Sequence, residues 1–218
     1  MGIELRKCGC GNDYLSEYGD SICDECMWKA ELKHKLKGIK KIAVDWDGVI
    51  TDTVASLLEI YNSIHRTNFV KDDITKWNIE EILNISEDDL WNLIDYMQKT
   101  AKIGLEDERC PEILNNLCKK YAVEIVTCNN NLSNYIEKRK KKYGLPDMPI
   151  RNLKKYEIKA TYPYDLFIDD SPNQAYAMNM NKKLCLLYDH QWNKNVNGEY
   201  IVRVKNWDEI QKILMNDE

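Results

Sequence analysis

The chain has 218 residues and a formal net charge of −5 from 31 Lys plus Arg against 36 Asp plus Glu. With 44% apolar and 31% charged residues it is too apolar for a disordered chain. Its longest apolar run, Leu184–Tyr188, is far too short to span a bilayer as a helix. The acidic balance argues against general nucleic-acid coating, though it leaves room for a local basic patch.

Read in chain order, the opening MGIELRKCGCG carries no apolar secretory segment, so a cytoplasmic protein is expected. Cys8 and Cys10 are followed by Cys23 and Cys26. Two short cysteine pairs can deliver the four tetrahedral thiolates that a structural zinc prefers. Disulfides are disfavoured without export. The expectation is a zinc knuckle with a charged linker helix over residues 27–37, ended by Gly38. So small a piece cannot bury enough surface to fold without its metal. A domain boundary near residue 38 follows, giving units 1–38 and 39–218.

Beyond Gly38, short apolar runs alternate with amphipathic stretches, the pattern of an α/β domain with a parallel sheet and helices on both faces. Strands are predicted at 39–44, 123–127, 165–168, 183–188 and 200–204. Residues 54–105 show helical periodicity and no convincing strand, with Ser86 and Asp89 forming a capping box before Leu90. Pro111 opens a helix through Lys120, and 207–215 is a closing helix. The basic run 138–142 (KRKKK) reads as a solvated helix end that complements the macrodipole.

Chemistry concentrates where the strands end. Asp45 and Asp47 leave the first strand, Asp169 and Asp170 leave DLFI, and Thr127 ends VEIV. The carboxyl ends of parallel strands are where open α/β sheets bind ligands. Carboxylates gathered there repel one another unless a hard cation such as Mg²⁺ sits among them, and such an ion completes its shell with an anionic substrate. Phosphate fits, with Thr127 donating a hydroxyl and a lysine neutralising charge.

These elements resemble, in order and in strand context, the haloacid dehalogenase (HAD) superfamily of phosphohydrolases, and residues 39–218 look most like its 5′(3′)-deoxyribonucleotidase branch. DWDGVITDT resembles the first motif, IVTC the second and DLFIDDSPN the fourth; DITKWNI has the flavour of the branch. Lys159, ten residues before Asp169, stands where the third-motif lysine is expected, with Lys154 and Lys155 as competitors. The resemblance implies a HAD-like Rossmannoid fold with a helical cap at about 54–105 inserted after the first strand. It also implies an Mg²⁺-dependent phosphomonoesterase for nucleoside monophosphates, working through an aspartyl-phosphate. Asp45 is then the nucleophile and Asp47 the acid and base. Mg²⁺ is held by Asp45, the Asp47 carbonyl and Asp169, and Asp170 either completes the metal's surroundings or orients Lys159.

Substrate contacts are expected from Thr127, Cys128 (through its backbone N–H, since the branch often has a hydroxyl residue there), Lys159 and Trp77. Asp52 reads either as the later acid of the first motif or as a helix cap. Trp77, Trp91 and Tyr96 in the cap read as core aromatics or, for Trp77 above all, as a platform for a base. Two rival functions stay open: a phosphatase for nucleic-acid ends, and a nucleic-acid- or protein-binding zinc module carried on an inert scaffold.

Overall fold

A computed structural model describes residues 4–7, 13–16, 24–100, 102–128 and 133–215. It divides into two compact units, Met1–Ile39 and Lys40–Glu218. The first contains an antiparallel pair, β1 (Glu4–Lys7) and β2 (Asp13–Ser16), and a helix, α1 (Asp24–Leu36). Gly38 follows that helix with φ +87°, a backbone that glycine adopts without strain. Of the four expected zinc ligands, Cys8, Cys10 and Cys23 lie outside the described residues, and Cys26 lies in α1.

The second unit runs β3 (Lys41–Val44), β4 (Thr51–Asp52), α2 (Thr53–His65), α3 (Ile79–Leu83), α4 (Glu87–Thr100) and β5 (Gly104–Leu105). It continues with α5 (Cys110–Lys120), β6 (Ala122–Thr127), α6 (Ser133–Tyr143), β7 (Ile150–Asn152) and β8 (Leu166–Asp169). It closes with α7 (Pro172–Met180), β9 (Leu184–Tyr188), β10 (Ile201–Val204) and α8 (Trp207–Met215). Six strands form one parallel sheet in the order β10-β9-β8-β3-β6-β7.

The central strands are deeply buried: Ile42, Ala43 and Val44 in β3, all of β8, all of β9. A sheet covered on both faces requires this, and it explains why these segments read as unbroken apolar runs. On one face Ala43, Val126, Phe167, Cys185 and Leu187 pack with Ala175 and Met178 of α7. Ile42, Val44, Ile125, Leu166 and Ile168 alternate with them and point the other way.

Local chemistry sets the helix ends. Asp52 caps α2, its Oδ1 accepting from the Ala55 N–H at 3.2 Å. Ser86 caps α4, its Oγ accepting from the Asp89 N–H at 3.1 Å. Pro111 stands in the first turn of α5, where its missing N–H costs nothing. Among the described residues no helix is long and apolar enough to cross a membrane.

Several expectations are corrected. A strand does occur within 54–105: β5 pairs with β4 antiparallel, so a two-residue ribbon joins the two connections to the inserted helices. Edge strand β7 escapes notice in the sequence because it is only three residues long and one side is uncovered. The basic run is not all solvated. Arg139 and Lys140 are buried; Arg139 donates to the side chain and backbone carbonyl of Gln98, and Lys140 to the Met148 carbonyl at 2.6 Å. Trp77, Trp91 and Tyr96 are exposed and are not core. The inserted helices use Leu57, Leu58, Tyr61, Leu90 and Met97 for that purpose.

Candidate active site

The register of β6, β3 and β8 determines which polar tips lie side by side. Val44 pairs with Ile125 and Ile168, and the Asp45 N–H donates to the Ile168 carbonyl at 2.9 Å. Asp45, Asp169 and Thr127 thus end adjacent strands. Past Asp45 the chain closes a tight turn. The Ile50 and Thr51 N–H groups both donate to the Trp46 carbonyl, and the Gly48 N–H donates to the Thr51 carbonyl at 2.9 Å. Gly48 has φ +74°, and a Cβ there would stand 2.4 Å from Asp170 Oδ2. Glycine is therefore required twice over, for the backbone and for the close approach. Asp47 is held by the Thr53 hydroxyl, which donates to its Oδ1 at 2.6 Å.

Lys159 lies between two carboxylates, with Nζ 2.9 Å from Asp45 Oδ1 and 2.7 Å from Asp169 Oδ2. Its backbone N–H donates to Gln174 Oε1 at 2.9 Å, which fixes the short helical turn that carries it. Burial would push this ammonium down, but Asp169 and Asp45 outweigh burial and hold it well above the ordinary lysine value. Lys155, by contrast, pairs with Glu87 and lies over the Trp91 ring.

Burial, reinforced by Asp169 and Asp47 and opposed by Lys159, pushes Asp45 up to about 7. Asp170 is held well above the ordinary carboxylate value, by burial first and then by Asp45 and Asp169. Three acids thus crowd a buried site that has one lysine. Among the described residues, Asp45, Asp169 and Asp170 place a carboxylate oxygen each within 4.8 Å of one another. Asp170 Oδ1 is buried with no hydrogen-bond partner. An all-oxygen donor set, surplus negative charge and an orphaned carboxylate oxygen are what a hard divalent cation satisfies, so these residues fit Mg²⁺.

Cys128 follows Thr127 at the same edge. Its thiol is pushed up to about 11 by burial, against the pull of Lys159, so it stays a neutral thiol. Its Sγ lies near the Glu157 carbonyl and the Gln174 amide. Trp77 is the expected site residue that the structure does not bring to the others: it is exposed on the approach to α3, and no ring contact or hydrogen bond links it to the acids among the described residues.

Sequence reasoning missed a set of residues behind the acids. Lys71, in a short turn of the insertion, donates to Asp52 Oδ1 at 2.9 Å and to Glu106 Oε1, thereby bridging the β4 and β5 connections. His190 Nε2–H donates to the Gly48 carbonyl at 2.7 Å and lies 4.0 Å from Glu106. Trp192 and Asn193 contact Asp170. The available signal was position: YDHQWN follows the carboxyl end of β9, where polar residues face the crevice.

Glu106 offers a test of this packing. Burial raises its pKa to about 7, with Asp52 and Asp107 adding and Lys71 opposing; Tyr188 and the neutral His190 also face it. The folded state therefore holds a proton that the unfolded chain has lost, so stability falls as pH rises from about 4.5 through 7, by about 3 kcal/mol at most. Urea unfolding at pH 5 and pH 8 should show a smaller loss of stability in Glu106→Gln than in the unaltered protein. Equal losses would mean that the Glu106 carboxyl is not desolvated.

Residues 38–217 match the model of the family described as 5′ nucleotidase, deoxy (pyrimidine), cytosolic type C protein. The chain belongs to that family. It is 26% identical over 180 residues to the 5′(3′)-deoxyribonucleotidase of Bacillus subtilis, covering 81% of this chain and 99% of that one. It is 25% identical over 178 residues to a nucleotidase of Clostridium acetobutylicum, covering 79% and 92%. In fold it is similar to a magnesium-bound HAD-hydrolase of Bacillus subtilis (TM-score 0.56, 15% identity, 82% of this chain and 100% of that one). A haloacid dehalogenase-like hydrolase of Streptococcus pneumoniae is similar at TM-score 0.56 and 15% identity, over 79% and 96%. The chain is thus a member of a 5′ nucleotidase family built on a parallel six-stranded sheet.

Proposed function

We propose that this nucleotidase is an Mg²⁺-dependent phosphomonoesterase for (deoxy)nucleoside monophosphates that works through an aspartyl-phosphate on Asp45. The observation that carries the reading is the buried trio Asp45, Asp169 and Asp170, with Lys159 between two of them, at the carboxyl ends of β3 and β8. The name of the Bacillus relative supports the substrate class.

An Asp45 carboxylate oxygen attacks phosphorus in line, an O–P bond forms, and the bond to the ester oxygen breaks. Asp47, steadied by Thr53, gives its proton to the departing oxygen and then takes one from the water that hydrolyses the acyl phosphate. Lys159 offsets phosphoryl charge, and Thr127 and the Cys128 N–H donate to phosphoryl oxygens. Asp45, the Asp47 carbonyl and Asp169, with Asp170 beside them, would hold Mg²⁺, which would supply electrostatic stabilisation of the charge that develops. The helices of residues 53–100 act as a cap that excludes water, with Trp77 reaching the base on closure. A zinc knuckle of Cys8, Cys10, Cys23 and Cys26 remains part of this proposal on sequence grounds.

The test is phosphate release by the full chain from nucleoside 5′- and 3′-monophosphates, sugar phosphates and a phosphorylated oligonucleotide, with Mg²⁺ and then with chelator. Release from the mononucleotides that chelator abolishes is expected. Inertness toward every mononucleotide would overturn the substrate assignment, and a faster oligonucleotide reaction would redirect it to nucleic-acid ends.

A further inference from the structure

The two oxygens of Asp170 have different surroundings. Oδ2 accepts a hydrogen bond from the Trp192 indole N–H at 3.2 Å, while Oδ1 is buried without a partner. The Asp170 backbone carbonyl accepts from Asn193 Nδ2 at 2.9 Å, and the same amide donates to the Tyr188 carbonyl at 2.7 Å. The Trp192 ring stacks on the His190 imidazole, with centroids 4.1 Å apart and planes at 17°. His190 stacks in turn on Tyr188 at 5.4 Å. His190 grips the Gly48 carbonyl, and Gly48 itself abuts Asp170 Oδ2. A single stacked pair therefore holds two distant chain segments against each other, one polar edge on each.

We infer that Trp192 and His190 are positioning residues for the acidic cluster: Trp192 occupies Asp170 Oδ2 and leaves Oδ1 for the cation shared with Asp45 and Asp169, while His190 presses the Gly48 loop onto that carboxylate. The inference rests on the reading of the cluster as an Mg²⁺ site. Three physical points support it. An N–H donor favours the charged form of a buried carboxylate. A carboxylate with one oxygen committed to a donor offers its other oxygen in one direction only. A stacked aromatic pair also resists the rotation that would release either bond. Groups that orient metal ligands in this way typically contribute ten- to a hundredfold in metal affinity. Trp192 also packs among Leu58, Tyr61, Ile74 and Leu83, so one rigid ring connects the inserted helices to Asp170.

The experiment is Mg²⁺ binding by calorimetry, without substrate, on the full-length protein and on Trp192→Phe and His190→Phe. Each change keeps a ring in the stack and removes one donor. Folding is checked by near-ultraviolet circular dichroism. Trp192→Phe is expected to weaken the Mg²⁺ Kd by about ten- to a hundredfold while remaining folded. His190→Phe is expected to weaken it in the same direction. A residue with only a packing role would lower the melting temperature and leave the Kd of the folded protein unchanged. An unchanged Kd in either variant therefore overturns the assignment of that residue.

If Trp192→Phe does not fold, benzothienylalanine at position 192 removes the N–H at nearly constant shape and is read by the same criterion. Failure of the unaltered protein to bind Mg²⁺ would overturn the metal reading itself. Tight binding that the variants leave untouched would overturn this inference alone.

Discussion

Asp45→Asn is expected to lower phosphate release on the order of 10⁴- to 10⁶-fold, the range seen when a catalytic nucleophile is removed. Asparagine keeps the shape of the side chain but cannot form the acyl phosphate. Stability should move the other way or hardly at all. Asp45 is pushed up to about 7 because it is buried beside Asp169 and Asp47, so its charge burdens the metal-free fold. Lys159 keeps Asp169 as a partner at 2.7 Å after the change. Thermal melting with chelator together with steady-state phosphate release separates the two effects. Activity within tenfold of the unaltered protein would remove Asp45 from the chemistry. A collapse of the fold would show that its carboxylate is structural.

Lys159→Met should produce the largest loss of stability at the site. The ammonium is buried and bonded to two buried carboxylates, and removing one partner of such a group typically costs about 3–5 kcal/mol. The acids relieve part of this by taking up protons, so the loss should grow as pH rises from about 6 to 8. Added Mg²⁺ should restore stability, because a cation replaces part of the missing charge. Denaturant unfolding with and without Mg²⁺ measures both effects. Lys154→Met serves as a control, since its ammonium has no part in this cluster and surface changes usually stay within about 0.5 kcal/mol. Equal stability of the Lys159 and Lys154 variants in chelator would mean that the buried ion pairs are not formed.

Much of this molecule was legible in the chain. The strands that carry chemistry are buried beyond their first residue in β3 and β6 and throughout in β8 and β9, so all four appear as largely apolar runs at nearly their observed positions. The caps at Asp52 and Ser86 and the proline of α5 are local devices, and local devices survive translation from sequence to structure. The ribbon of β4 and β5 has two residues in each strand and depends on pairing between segments more than fifty residues apart, so no local pattern announces it. The burial of Arg139 and Lys140 was illegible for a related reason: a basic run looks solvated until another segment supplies the Gln98 and Met148 carbonyls.

At the site, Asp45, Asp47, Thr127 and Asp169 were chosen by residue type and by their place at strand ends, both of which are properties of the chain. Sequence also narrowed the lysine to three. By itself it located the strands that carry the chemistry, the polar residues at their tips and the chemical class that such tips serve. Tertiary structure alone decided that Lys159 is the lysine between the carboxylates, that Trp77 stands apart from them, and that Lys71, Glu106, His190 and Trp192 brace the loops behind them. The physical reason is range. A strand and its terminal residue are specified by neighbours a few positions away, whereas a buried charge is specified by whatever distant segment the fold brings to neutralise or bond it.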